Sequence, residues 1–269
     1  MLLTDLIAHI NATLPPTSAM DGDRIGLQVQ SARTEVNSVL TCMEVTDAVV
    51  DEAIDLGADC LLAFHPLVFI PLTEINEDGR VGRLCTKLIR AGIALIVAHT
   101  NFDAYPEGTS TILARKLNMS IDGFLRPDQT DDARGMGVLA HLPQALSAAE
   151  LLARIEAVCG SPLRYSRGPE TIRRVAILGG SGMSFFTDAA RAGVDAFITA
   201  DVKYHDFHRA DGRLMLVDPG HYEMEQFNAE GLASLLRPQA DGKNGLKVTV
   251  SAVKTNPVCY YRSGNGKQA

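Results

Sequence analysis

The fold is decided at residues 57–65, which read GADCLLAFH. Gly57 is typical of the residue that ends a helix, and the apolar run 61–64 is typical of a short buried strand. His65 follows that run directly. Because the carboxyl ends of strands in an open parallel sheet meet at one crevice where ligands bind, we expect His65 to lie in such a crevice.

Two further apolar runs lead to residues of the same chemistry. They are IALIVA at 93–98 and LMLV at 214–217, and each is followed by a histidine and, four residues later, an acidic residue. Zinc, iron, manganese and cobalt accept imidazole and carboxylate ligands together, which leaves coordination positions open for water or substrate. The predicted metal ligands are His65, His99, Asp103, His221 and Glu225.

The spacing leaves a simpler alternative open. A histidine just past a strand is more often a hydrogen-bonded structural residue than a ligand. The pair His221 and Glu225 falls at the start of a predicted helix over 222–236, where residues four apart lie on one face. His99 and Asp103 have the same spacing, but the sequence around them is typical of a loop.

The order of the remaining elements indicates an α/β fold. Helices are predicted over 47–56, with Thr46 as N-cap, and over 80–91, ending at Gly92. Strands alternate with these helices, and βαβ order predicts parallel pairing. We therefore predict two similar α/β halves with mixed, largely parallel sheets and a metal site in the crevice between them.

The polar stretch 126–134 is the predicted junction between the halves. The first half, 1–125, would carry His65, His99 and Asp103. The second half, 126–269, would carry His221 and Glu225, and its C-terminal strand is free to pack back on the first half.

Composition restricts the class of protein. The chain has 269 residues and a formal net charge of −7, which disfavours binding to nucleic acid. Its five cysteines are scattered and form no C-x-x-C pair, as expected for reduced thiols in the cytoplasm. No apolar run approaches the length of a membrane span, and the N-terminus is typical of a surface helix.

Several polar residues near the predicted ligands are candidates to line the site or to orient a ligand. The alternative for this charge-rich sequence is a solvated loop. The candidates are Asp201, Lys203, Tyr204, His205, Asp218 and Glu223. The turn GGSG at 179–182 could offer backbone N–H groups to an anion, but a tight structural turn is at least as well supported, because the turn has no Walker lysine.

Five blocks of the chain together resemble a known family, the dinuclear-metal proteins called GTP cyclohydrolase I type 2 or Nif-three-like. They occur in the family's order across most of the chain. The blocks are DRIGL at 23–27, FHPL at 64–67, HTNFDA at 99–104, TADVKYHD at 199–206 and DPGHYEME at 218–225.

The resemblance implies two divalent metal ions in the crevice between two α/β halves, in a homohexameric ring. It implies metal ligands at His65, Asp103, His221 and Glu225, with Glu225 bridging and His99 close by. One departure bears on this expectation: the family has two adjacent histidines before proline, and this chain has Phe64 in the first position. A phenyl ring cannot ligate, so one of the two expected metals would lose a ligand, and the alternatives are a mononuclear site, a weaker site or one completed by His99 or water.

The leading hypothesis is a cytoplasmic metal-dependent hydrolase of this family, acting on a small molecule such as a nucleotide or related heterocycle through a metal-activated water. Ring opening of GTP is the activity that the family name implies. The alternative is a metal-binding scaffold or regulatory interaction protein with little catalysis, which Phe64 favours. A third hypothesis is a metal-free anion binder that uses the glycine turn.

Overall fold

The computed structural model of the protein describes residues 1–240 and 245–261. It contains two β-sheets with helices packed on them. Within the described residues, no helix combines the length and apolar character needed to cross a membrane.

The first sheet has five strands in the order β1-β4-β3-β2-β11. Their bounds are Gly26–Val29 for β1, Ser38–Cys42 for β2, Cys60–Ala63 for β3, Ala94–Val97 for β4 and Lys247–Val250 for β11. The strands β4, β3, β2 and β11 are parallel, and β1 runs antiparallel along the edge. The accompanying helices are α1 Leu3–Thr13, α2 Asp47–Asp55, α3 Arg80–Ala91, α4 Thr100–Asp103 and α5 Thr109–Lys116.

The second sheet has six strands in the order β5-β6-β8-β9-β10-β7. Their bounds are Ser120–Pro127, Gly135–Ser147, Thr171–Ile177, Ala196–Ile198, Met215–Asp218 and Arg164–Tyr165, in the same order. Among the described strands of this sheet, β8, β9 and β10 pair in parallel and the other pairings are antiparallel. The helices of this part are α6 Ala148–Cys159, α7 Phe186–Arg191, α8 Tyr204–Phe207, α9 His221–Glu225 and α10 Asn228–Ala240.

The predicted α/β architecture with mixed sheets is confirmed, and local sequence signals explain its element ends. The side chain of Thr46 accepts a hydrogen bond from the N–H of Val49 and so caps α2. Gly92 ends α3 in the left-handed conformation, with φ of 67°. The helix predicted over 222–236 is wrong in one respect, because the structure divides that stretch into α9 and α10.

The C-terminal part of the chain joins the two sheets. The polar stretch 126–134 connects β5 to β6 within the second sheet, so the chain changes sheet before β5. It returns with α10, whose Leu232 and Leu236 are buried in one cluster with Leu6 and Phe64 of the first part. The strand β11 then pairs with β2. This return places Asn256 and Tyr260, which follow β11, in contact with Glu223 of α9.

Candidate metal centre

His65 lies immediately beyond the carboxyl end of β3. Strand-like pairing continues past that end, since the N–H of Phe64 donates to the carbonyl of Cys42 and the N–H of His65 to that of Met43. The backbone of His65 is therefore fixed by the neighbouring strand rather than by a free loop. His99 and Asp103 follow β4 in the same way, with His99 at the N-terminus of the one-turn helix α4.

His221 and Glu225 are the first and last residues of α9. One helical turn separates them, which brings His221 Nε2 to 3.0 Å from Glu225 Oε2. The helix starts after Gly220, whose φ of 97° allows the sharp turn out of β10. A side chain at Gly220 would lie 2.2 Å from Glu223 Oε2, so this position requires glycine.

Three of the predicted ligands meet at one point. His65, His221 and Glu225 each offer a ligand atom, and these atoms all lie within 4.8 Å of one another. His65 Nε2 is 3.3 Å from Glu225 Oε2. Glu225 is only 2% exposed, and its Oε2 has no hydrogen bond of normal geometry. Two imidazole nitrogens and a buried carboxylate oxygen are a donor set that fits a borderline divalent cation.

Asp103 and His99 lie next to this cluster but outside it. The His99 ring centroid is 5.5 Å from that of His65. Asp103 accepts a hydrogen bond from Thr109, and burial together with the charge of Glu225 raises the pKa of its carboxyl. A cation near both carboxylates would relieve that repulsion, which supports the fit of a metal here. Metal ligation by Asp103 and His99 remains a prediction.

A carboxylate oxygen lies within hydrogen-bond distance of Nδ1 in each of the three candidate histidines, His65, His99 and His221. Glu44 Oε1 is 2.6 Å from His65 Nδ1, and Asp201 Oδ2 is 2.7 Å from His221 Nδ1. In metal sites such partners fix the ring orientation and leave Nε2 for the ion. Asp23 Oδ1 lies 2.8 Å from Nδ1 of the third histidine, His99.

Sequence reasoning missed Glu44 and Asp23 as functional residues. Glu44 lies just beyond the carboxyl end of β2, so the rule that pointed to His65 could have found it. Asp23 lies in the DRIGL block ahead of β1, and not beyond the carboxyl end of a strand, so that rule does not apply to it. Hydrogen bonds from His99 and from Thr100 overcome its burial and lower the pKa of the Asp23 carboxyl.

The structure gives the other candidate residues different surroundings. Asp201, and not Asp218, lies on His221; Asp218 accepts hydrogen bonds from the N–H groups of Val202 and Gly220. Glu223 is buried and accepts from Asn256 Nδ2 at 2.7 Å and from the Tyr260 hydroxyl at 3.0 Å. The remaining candidates, Lys203, Tyr204 and His205, are exposed at α8.

Asp201 holds its position through an unusual backbone conformation. Its φ is 55°, in the left-handed region that aspartate tolerates better than most side chains. This conformation at the carboxyl end of β9 places the carboxylate on Nδ1 of His221. Strained backbone of this kind concentrates at functional sites, so the conformation supports a role for Asp201 in orienting the imidazole.

The glycine turn 179–182 packs directly against the cluster. Gly180 has φ of 61°, and a Cβ there would lie 2.6 Å from Glu225 Oε1 and 3.2 Å from His221. The backbone thus approaches two candidate ligands more closely than any side chain would permit. This contact supports the interpretation of the turn as a tight structural one.

A cavity of ≈ 640 Å³ opens beside the cluster. His65 and His221 line one part of it, and residues of the segment after β11 line another, including Tyr260. This size is in the range of small-molecule sites. The candidate ligands are therefore accessible from a cavity that a small substrate could fill.

Neighbouring carboxylates favour the protonated imidazoles of His65 and His221 when no cation is bound. Burial lowers the pKa of His65, but the hydrogen bonds and charges of Glu225 and Glu44 outweigh it and raise the pKa to about 10. Burial likewise opposes the charge on His221, while Glu225 and Asp201 raise its pKa to about 9. These contacts stabilise the metal-free fold fully below the ordinary value of 6.5, and the contribution is lost as the pH rises through about 9 to 10.

Binding of zinc is therefore expected to release protons from His65 and His221 near neutral pH, because a ligating Nε2 must be deprotonated. Isothermal titration calorimetry in buffers of different ionisation enthalpy measures this release. Apparent zinc affinity should increase as the pH approaches 9 to 10. His221→Ala should release fewer protons than the native chain, and an enthalpy independent of the buffer would contradict the assignment.

Substitution Gly180→Ala should weaken zinc binding, because its Cβ would displace Glu225 or His221. Gly57→Ala is the matched control: Gly57 has φ of 63° and no atom within 4 Å of an added Cβ. Both changes should cost about 1–2 kcal/mol in unfolding free energy through left-handed backbone strain. Zinc titration and denaturant unfolding of the two variants separate the effects. Equal zinc affinity in both variants would show that the close approach of Gly180 has no role.

Known proteins are similar to this chain in sequence and in fold. The chain is 37% identical to the GTP cyclohydrolase 1 type 2 homolog of Streptomyces coelicolor, over 95% of this chain and 93% of that protein. It is 31% identical to the homolog of Streptococcus pneumoniae, over 96% and 98%. The crystal structure of Staphylococcus aureus protein SA1388 superimposes with a TM-score of 0.90 at 28% identity, covering 97% of this chain and 99% of that one.

A model of one protein family matches nearly the whole described chain. The matched residues are 1–257, and the family is described as Duf34/NIF3, NGG1p interacting factor 3. The match includes every candidate ligand and both sheets. The resemblance inferred from the five sequence blocks is confirmed, and the chain belongs to the Duf34/NIF3 family.

Proposed function

We propose that the protein is a metal-dependent hydrolase whose His65, His221 and Glu225 hold a divalent cation. The observation that carries the proposal is the convergence of these three ligand atoms within 4.8 Å. Three protein ligands leave coordination positions open, as in catalytic rather than structural sites. When bound, the cation supplies a water of lowered pKa at the edge of the cavity.

The chain's own residues prepare this site. Glu44 and Asp201 hold the two imidazoles with Nε2 directed to the cluster. The buried carboxylate of Glu225 lies between these imidazoles at 3.3 Å and 3.0 Å. Glu44 and Asp201 also line the cavity, where their carboxylates are within the space that a substrate would fill. They are the groups best placed to accept a proton.

The metal content is proposed to be a single tightly held ion. Phe64 is fully buried, and its ring centroid lies 4.8 Å from that of His65 and 5.4 Å from that of His99. It also packs edge-on against Phe102. By the resemblance, this apolar ring stands where the family has the first of its two adjacent histidines. Zinc, iron, manganese and cobalt all suit the donor set.

The proposed substrate is a small heterocycle such as a nucleobase, nucleoside or nucleotide. The cavity volume suits a molecule of that size. The curated relatives are named GTP cyclohydrolase 1 type 2 homologs, which supports a heterocyclic substrate for this chain too.

We also propose a cytoplasmic homo-oligomer, hexameric by resemblance. Apolar side chains of the loop after β3 support self-association, since Phe69, Ile70 and Ile75 are 55%, 77% and 59% exposed. A second candidate function is a metal-binding scaffold with little catalysis. Phe64 is the observation that favours it, because loss of a ligand would weaken a two-metal catalyst.

The test is metal content and hydrolysis for the native chain, His221→Ala and Phe64→His, each purified without chelators. We expect about one tightly bound ion in the native chain, and its loss in His221→Ala with a fall in hydrolysis of purine nucleosides and nucleotides of at least about 100-fold. Phe64→His should increase the metal content. Products are separated by liquid chromatography.

His141→Ala is the matched control, because His141 pairs with Asp122 in the second sheet and does not line the cavity. It should keep native metal content and activity. Metal retention in His221→Ala would contradict the ligand assignment. The scaffold would be favoured if His221→Ala loses its metal and assembles poorly while neither the native chain nor any variant hydrolyses these substrates.

A further inference from the structure

The cavity beside the cluster carries an excess of negative charge. Four carboxylates line it, and a fifth, Glu225, lies in the cluster behind it. Among the described lining residues Arg164 is the one Lys or Arg side chain. The four lining carboxylates are Glu44, Asp201, Asp218 and Glu223.

Arg164 is paired with a carboxylate of the same cavity wall. Its Nη2 donates to Asp218 Oδ2, and its guanidinium lies 5.7 Å from the centre of the Phe207 ring. Asp218 is 3% exposed and also accepts hydrogen bonds from the N–H groups of Val202 and Gly220. The charge of Arg164 therefore offsets that of Asp218 and adds no positive charge to the cavity beyond this pair.

The other carboxylates are held in place by fixed partners. Glu44 and Asp201 are on the imidazoles of the cluster. Glu223 accepts from Asn256 and Tyr260, which joins the segment after β11 to the cavity wall. With neutral imidazoles, Arg164 and one divalent cation offset three of the five negative charges, so an excess of two remains.

Apolar side chains form much of the remaining lining, beside the imidazoles of the cluster and Asn256. Pro162 and Leu163 precede β7, and Pro257 and Val258 belong to the segment after β11. The Tyr260 ring lines the same space. Apolar and aromatic surfaces of this kind suit the faces of a planar ring, while carboxylate oxygens accept hydrogen bonds from its N–H groups.

We infer that the cavity binds an uncharged or cationic planar heterocycle with N–H donors, at the level of a nucleobase or nucleoside, and discriminates against phosphorylated forms. The inference names the substrate class of the proposed function and rests on it. His65 and His221 of the cluster line this cavity, so a cation held by them would lie at the cavity wall and face the bound heterocycle.

The experiment compares guanosine with GMP, and adenosine with AMP, on the zinc-loaded full chain by isothermal titration calorimetry. At low ionic strength each nucleoside should bind at least about tenfold tighter than its monophosphate, because the phosphate enters an excess of negative charge. Added salt should reduce this difference in affinity, because it screens the repulsion between the phosphate and the carboxylates. Zinc content is measured after each titration, so that removal of the metal by a phosphate is detected.

Asp201→Asn removes one negative charge and keeps an acceptor oxygen for His221. It should lower the ratio of guanosine affinity to GMP affinity about 3- to 10-fold. Asp55→Asn, at an exposed carboxylate of α2 outside the cavity lining, should change neither affinity. This pair distinguishes the local field of the cavity from the net charge of the protein.

GMP binding as tight as guanosine at low salt, or no binding of either nucleoside at millimolar concentration, would overturn the inference. Nucleoside binding without metal-dependent hydrolysis would leave the inference intact and contradict the proposed function instead. Hydrolysis of GTP in preference to guanosine would support the proposed function and overturn the inference.

Discussion

The structure depends on one buried carboxylate between two imidazoles. Glu225 would be costly to bury alone, because an ionised carboxylate without partners in the protein interior is strongly destabilising. His65 and His221 offset that cost from two different parts of the chain, one at the end of β3 and the other at the start of α9. Either protons on the imidazoles or a cation among the three can balance the charge. The same contact thus links the packing of the two sheets to the chemistry of the site.

The surrounding structure fits this constraint. Gly180 brings the backbone against Glu225 and His221, and Gly220 allows the chain to leave β10 and begin α9 at once. Asp201 accepts a left-handed backbone to reach His221. Each of these three residues adopts a backbone conformation with positive φ that is unfavourable for most residues, and each helps to position a group of the cluster. Because one fold can host different chemistries, the function has to be argued from the residues of this site and not from the fold.

Much of this arrangement follows from local sequence. Thr46 and Gly92 mark helix ends because capping depends only on residues close in sequence. His65 was found because it directly follows an apolar run. Placement of β5 did not follow, and the return of β11 to the first sheet was left open, since strand pairing depends on contacts distant in sequence. Sequence reasoning named Asp201 and Asp218 among the candidates to orient a ligand, and the left-handed conformation of Asp201 decided the contact with His221. Glu44 was overlooked although the strand-end rule applies to it.

The most direct test of the central claim is the position of a bound metal, measured by anomalous diffraction at the zinc edge from crystals of the zinc-loaded protein. The account predicts one strong peak, coordinated by His65 Nε2, His221 Nε2 and an oxygen of Glu225 at about 2.0–2.2 Å. A peak whose ligands exclude Glu225, or no peak at the cluster in protein that retains zinc, would contradict it.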